Sequence, residues 1–246
     1  MISYICGTCK NQETDYCDEC EHGVELFDHY EKVSKEEVEK LEQKRRKEAI
    51  KAISGSKIIT EISNELLDAF NKAKMFAIDP ERLGLTAFFG VYFGKDKLVA
   101  TDTHRLFEMT GINIPKDIQD RFILSLDKDG ATLLAFNNDN NVLKTNSYQK
   151  VLDGSNDHAK KYLIVDEIAN CLEFPKTKDK VIGCYSDSVF LVFDDTKISV
   201  DEKYLNQILS LFGEDDRIEV RYKEPLSAVG FYHGNIRVLL LPIRVV

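Results

Sequence analysis

The sequence predicts an α+β fold in two domains, residues 57–156 and 157–246, each made of strand-helix-strands units. A small four-cysteine zinc-binding module at 1–33 and a connector helix at 34–56 precede them. Three observations predict this. Two amphipathic helical stretches, 64–77 and 201–211, each follow a short strand and lead into further strands. Short β-branched and aromatic runs elsewhere are separated by Gly, Asn and Asp turn signals. Four of the six cysteines crowd into the first twenty residues.

At the amino terminus, Cys6-x2-Cys9 and Cys17-x2-Cys20 each bring two thiolates close enough to share one ion. Two such turns close a tetrahedral Zn²⁺ site with Zn–S distances of about 2.3 Å. Four protein sulfurs leave no open coordination position, so the expected role is structural: the metal folds a stretch too small for its own core. Lys10 stands among Glu13, Asp15, Asp18, Glu19 and Glu21, which favours a protein contact over a nucleic-acid contact for this module. His22 reads as a solvated loop histidine, with a place as a substitute ligand if one cysteine is too distant.

Ser34-Lys35-Glu36-Glu37 is a capping box opening the connector helix, whose thin apolar stripe suits a surface position and which Gly55 ends. Its Lys44-Arg45-Arg46-Lys47 run reads as a solvated face. Lys57–Thr60 is a strand, and Asn64–Ala77 a helix with Leu66, Leu67, Phe70, Ala73 and Ala77 on one side. Thr86–Phe93 and Lys97–Thr101 form a hairpin about Gly94-Lys95-Asp96, and Arg105–Thr110 continues the sheet. Phe122–Leu126, Thr132–Phe136 and Val142–Ser147 are further strands. Past a boundary near 155–161, Tyr162–Val165 is a strand and 166–172 a short helix. Strands at Val181–Tyr185, Val189–Phe193 and Lys197–Val200 lead to the helix Asp201–Leu211. Arg217–Tyr222, Ala228–Tyr232 and Ile236–Ile243 finish the chain, the last two turning at His233-Gly234-Asn235. The strand-helix-strands unit therefore recurs in outline at Lys57 and Lys197.

A chain of 246 residues that is 43% hydrophobic and 30% charged can bury a substantial core. It has no apolar run near the roughly 20 residues a membrane span needs and no export signal, so a cytoplasmic location is expected. The net charge of −9 argues against a protein that grips nucleic acid tightly through an extensive basic face; because the total does not describe how charge is distributed, it leaves a sliding contact with DNA open. Asp102 with His104 supplies a two-residue site lacking a third ligand, and there is no Gly-rich phosphate loop or nucleophile motif, so catalysis is not expected.

Two remote segments carry the most specific signal: Leu98-Val99-Ala100-Thr101-Asp102-Thr103-His104-Arg105-Leu106-Phe107 and the terminal Leu239-Leu240-Leu241-Pro242-Ile243-Arg244-Val245-Val246. Taken singly they read as a capped turn and a buried strand ending at proline. Together, and in the right order, they resemble the bacterial DNA polymerase sliding clamp (beta subunit), the last two of its three domains. Tyr148–Gly154 resembles the segment that closes that family's middle domain. The resemblance implies a DNA-clamp-like fold and an inter-domain apolar pocket for short peptides. Thr101, Thr103, His104, Arg105 and Leu106 occupy its motif positions on one side, and Leu239, Leu241, Pro242, Ile243, Arg244 and Val245 those on the other. Thr103 departs from the family, which has glycine there, and a β-branched residue is costly if the backbone needs a positive φ.

What the resemblance implies for function is a processivity factor, of the kind phages carry, that tethers a polymerase or other replication protein to double-stranded DNA. With only two such domains, six-domain closure implies a head-to-tail homotrimer. Helix lysines Lys72, Lys74 and Lys203, with Lys160 and Lys161 nearby, are the expected non-specific DNA contacts, offset by Glu65, Asp68, Asp201 and Glu202. The alternative is a clamp-fold interaction module that has the pocket but does not encircle DNA.

Overall fold

The computed structural model describes residues 53–78, 90–134, 148–155, 157–174 and 188–243, with 40, 43, 44, 47, 48, 50 and 51. The four cysteines of the zinc motif, the strands expected at 142–147 and 181–185, and Arg244 and Val245 lie outside the described residues. The chain separates into two units, Met1–Ala52 and Ile53–Val246. In the first, the described residues are helical, as expected of the connector.

The second unit contains two copies of a strand-helix-meander. In the first, β1 (Ser54–Ile59) leads to α1 (Asn64–Lys74) and then to β2 (Val91–Phe93), β3 (Lys97–Thr101) and β4 (Arg105–Thr110). In the second, β10 (Thr196–Asp201) leads to α4 (Glu202–Leu209), β11 (Arg217–Tyr222), β12 (Val229–His233) and β13 (Ile236–Leu240). Between them come β5 (Arg121–Asp127), β6 (Gly130–Leu134), α2 (Gln149–Asp153), β7 (Ala159–Ile164), α3 (Val165–Ala169), β8 (Leu172–Glu173) and β9 (Ser188–Phe193). Both longer helices start where the side chain of the preceding residue accepts an otherwise orphaned backbone N–H: Ser63 from Leu66 at 3.1 Å and Asp201 from Tyr204 at 3.0 Å.

Ten strands form one sheet in the order β1-β6-β5-β2-β3-β4-β13-β12-β11-β7, and β10-β9-β8 form a second. The two meanders meet through their last strands, because β4 and β13 pair antiparallel from Arg105↔Leu240 to Met109↔Ile236. Alternation then sends Phe107, Val238 and Leu240 to an inner core shared with Phe70 of α1, Leu205 and Ile208 of α4, and Val189, Leu191 and Val200 of the smaller sheet. The opposite residues, Val99, Leu106 and Leu239, belong to an outer cluster completed by Tyr148 and Leu152.

Several boundaries differ from expectation. β1 begins three residues earlier, at Ser54, where it pairs with β6 through a register shift. α1 ends at Lys74 because the chain turns at Met75–Phe76 to bury the Phe76 ring. The short helix near 166 stops at Ala169, releasing Leu172–Glu173 to pair with β9. β13 stops at Leu240, two residues before Pro242, which has no N–H to offer a ladder.

Candidate functional site

The site lies where the β3–β4 turn meets the end of β13. Within the turn, Thr101 Oγ1 donates to the Arg105 carbonyl at 2.6 Å and accepts from the Thr103 N–H at 3.2 Å. The buried Asp102 carboxylate accepts the N–H groups of His104 and Arg105 at 3.0 and 2.7 Å. These bonds hold Thr103 at φ +75°, the left-handed region that a β-branched residue avoids. The glycine expected from the resemblance would relieve this position.

Arg105 is 5% exposed, on the inner face. Its guanidinium donates to Asp102 Oδ2 from Nε at 3.0 Å and Nη2 at 2.7 Å, to the Met75 carbonyl at 2.9 Å, and to Gln207 Oε1. It is 4.8 Å from the Phe76 ring centroid and 4.1 Å from that of Tyr204. One side chain therefore ties together the end of α1, the turn, and α4. It positions the site's backbone, and its donors are committed within the fold.

The carboxy-terminal segment is fixed to the turn directly: Leu241 N–H donates to the His104 carbonyl at 2.9 Å, and Ile243 N–H to the Ser199 carbonyl of β10 at 2.8 Å. Across the outer face, Thr101 pairs with Leu106 and Leu106 with Leu239, giving one lateral row. Leu106 and Leu239 are buried, Leu241 is 42% exposed, Pro242 and Ile243 are half-buried, and Thr103 and His104 stand at the rim.

The structure adds a strap that the sequence reading treated only as a domain closure. Residues 148–155 cross the β4–β13 seam: Tyr148 O–H donates to the buried Glu108 carboxylate of β4 at 2.7 Å, and the Ser155 and Tyr232 hydroxyls share a hydrogen bond of 2.5 Å on β12. Lys97 and Arg237 approach the same Glu108 carboxylate at 4.0 and 3.6 Å. The signal available was Tyr148 and Leu152, apolar at helical spacing, with Val151 left 53% exposed between them.

No protein-family model and no curated protein sequence matches the chain. Among solved structures, Caulobacter crescentus pol III beta is similar with a TM-score of 0.52 at 16% identity, over 78% of this chain and 67% of that one. The Helicobacter pylori beta clamp in complex with 3,4-difluorobenzamide is similar with a TM-score of 0.50 at 17% identity, over 76% and 65%. The fold is that of a bacterial beta sliding clamp. The H. pylori clamp bound to a DNA ligase peptide also matches, with a TM-score of 0.48 at 16% identity over 78% and 65%. The chain thus spans about two thirds of the length of these clamps, and the likeness concerns the fold.

The expected DNA-facing lysines are spread over two helices. Lys72 is bonded to Asp68 at 2.9 Å, Lys74 Nζ lies 5.7 Å from the Phe70 ring centroid, and Lys203 lines an open hollow on α4 with Glu202, Asn206, Gln207 and Ser210. Among the described residues, no group of three metal-ligating side chains occurs and no helix is long and apolar enough to cross a membrane.

Proposed function

We propose that this chain is a DNA sliding clamp, a polymerase processivity factor of phage type, that works as a scaffold without chemistry. Three subunits close head to tail around double-stranded DNA. A short peptide of a polymerase or other replication protein docks at the seam, against Thr101, Leu106 and Leu239, with Leu241, Pro242 and Ile243 as the apolar wall and Thr103 and His104 at the rim. Arg105 acts through the turn it holds. The observation that carries this reading is the β4–β13 pairing, which joins two motifs more than a hundred residues apart at one seam in the middle of the large sheet. Apolar anchors lose water in such a cleft and the rim sets direction.

Leu241 is the variant of choice because it is exposed, so its loss leaves the fold intact. Leu241→Asp is expected to weaken a fluorescent peptide with aliphatic and aromatic anchors at least tenfold, measured by anisotropy. Unchanged affinity removes the pocket. Encirclement is tested separately: the protein should be retained on closed circular DNA during gel filtration and lost when the circle is linearised.

The second reading, a clamp-fold interaction module off the DNA, is favoured by one observation: the helix cations are offset by neighbours such as Asp68 and Glu202. Peptide binding with no retention on circular DNA selects it. The amino-terminal Zn²⁺ site remains a proposal from the doubled Cys-x2-Cys spacing of Cys6, Cys9, Cys17 and Cys20. One zinc per chain by elemental analysis, lost in Cys6→Ser and Cys17→Ser, is the expected result.

A further inference from the structure

The outward positions of the last four strands of the large sheet carry a charge opposite to that of the whole chain. On β13, β12, β11 and β7 they include four cations, Lys160, Arg217, Arg221 and Arg237, against one carboxylate, Glu219, while the chain as a whole is at −9. Two tyrosines are set among them. Tyr162 and Tyr232 flank Glu219 in one cross-strand row, since Glu219 pairs with both.

The aromatic rings are held rather than loose. Tyr162 is 52% exposed, and its O–H donates to Glu219 Oε2 at 2.8 Å, with the Arg217 guanidinium 5.5 Å from the ring centroid. The Tyr232 ring lies flat across Gly230, where a Cβ would meet its Cε2 atom at 2.5 Å, and the Arg221 guanidinium stacks on it at 4.0 Å. Glu219 also gathers Arg221 at 2.6 Å and Lys160 at 3.4 Å. The result is a flat face of planar groups bordered by exposed cations.

We propose that this face binds single-stranded nucleic acid. Unstacked bases offer planar surfaces to Tyr162 and the Arg–Tyr stack, while phosphates meet Lys160, Arg217 and Arg237. A duplex hides its bases and leaves Tyr162 without a role. An acidic peptide satisfies the cations alone. The face lies on the side of the sheet opposite α1 and α4, so it is distinct from the duplex contact of the ring reading and does not depend on it.

The test uses the full-length protein and a fluorescein-labelled oligothymidylate of roughly 20 nucleotides. With the three phosphate contacts of Lys160, Arg217 and Arg237, log affinity should fall against log salt with a slope of about −2. Tyr162→Ala and the pair Lys160→Gln/Arg217→Gln should each weaken binding about tenfold, and Glu219→Gln should tighten it. The triple variant Lys72→Gln/Lys74→Gln/Lys203→Gln should leave single-strand binding unchanged. All variants are checked for native circular dichroism, and Arg237→Gln, at an exposed position, is the substitute for any that fails. The proposal is overturned if the oligonucleotide does not bind, if Tyr162→Ala is neutral, or if duplex or polyglutamate competes as well as unlabelled single strand.

Discussion

Thr103 and Arg105 sit two residues apart and show opposite uses of the same turn. Thr103 bears strain: a β-branched residue at φ +75° costs on the order of 1–3 kcal/mol, and Gly removes it at the expense of a more mobile unfolded chain. Thr103→Gly is therefore expected to stabilise the protein by about 0.5–1 kcal/mol in urea denaturation, and a loss of stability would show that the turn is relaxed. Arg105 supplies the opposing force. Arg105→Ala strands the buried Asp102 carboxylate and should cost about 3–5 kcal/mol. Arg105→Lys should recover little, since an ammonium cannot reproduce the fork to Asp102 or the stacking on Tyr204. Tyr92 sets an alkaline limit. Burial, then a 2.9 Å hydrogen bond to Asp120, pushes its phenol up from 10.0 to about 12. A folded-state pKa above the unfolded one gives stability that is complete below pH 10 and lost as pH rises towards 12. Tyr92→Phe should flatten that fall in the urea midpoint.

At the scale of elements, hairpins were the most legible and the strap the least. β3, β4 and β11 have the residue limits their alternation and turn signals imply, because each is set by local chemistry: Gly94-Lys95-Asp96 before β3, the Asp102 cap before β4. α2 is five residues long, too short to fold alone, and its place depends on Glu108, forty residues back. Nothing local in Tyr148–Gly154 points to Glu108. Tyr148→Phe leaves that carboxylate short of one donor and is expected to cost about 1–3 kcal/mol. Amide hydrogen exchange of 149–153 should quicken more than that of β4 and β13, whose ladder bonds are untouched. Equal acceleration of all three would mean the strap does not hold separately.

The large sheet of the second unit is assembled from two meanders, and its two edges, β1 and β7, lie at opposite ends of the strand order. Edge strands offer unpaired backbone groups, so they need a partner or a guard. Ile59 on β1 and Ile164 on β7 are exposed apolar groups on those edges. Ring closure covers such edges by heterologous contacts that end when the rotation closes. Light scattering is expected to give three times the 28.1 kDa subunit mass, unchanged on dilution. A monomer at all concentrations removes the ring in its simplest form.

From the sequence alone came the α+β class, the repeated strand-helix-strands order, the two motifs and the suspicion about Thr103, because periodicity, caps and turn chemistry are properties of neighbouring residues. The tertiary structure decided which strands meet. The β4–β13 pairing puts Leu106 beside Leu239, Arg105 is buried between α1 and α4, and the β12–β11 and β11–β7 pairings line up Lys160, Glu219 and Tyr232 from three separate strands into one face. Such contacts join residues from 13 to well over 100 positions apart. Their free energy comes from burial and pairing shared across the sheet, which no single stretch of the chain contains.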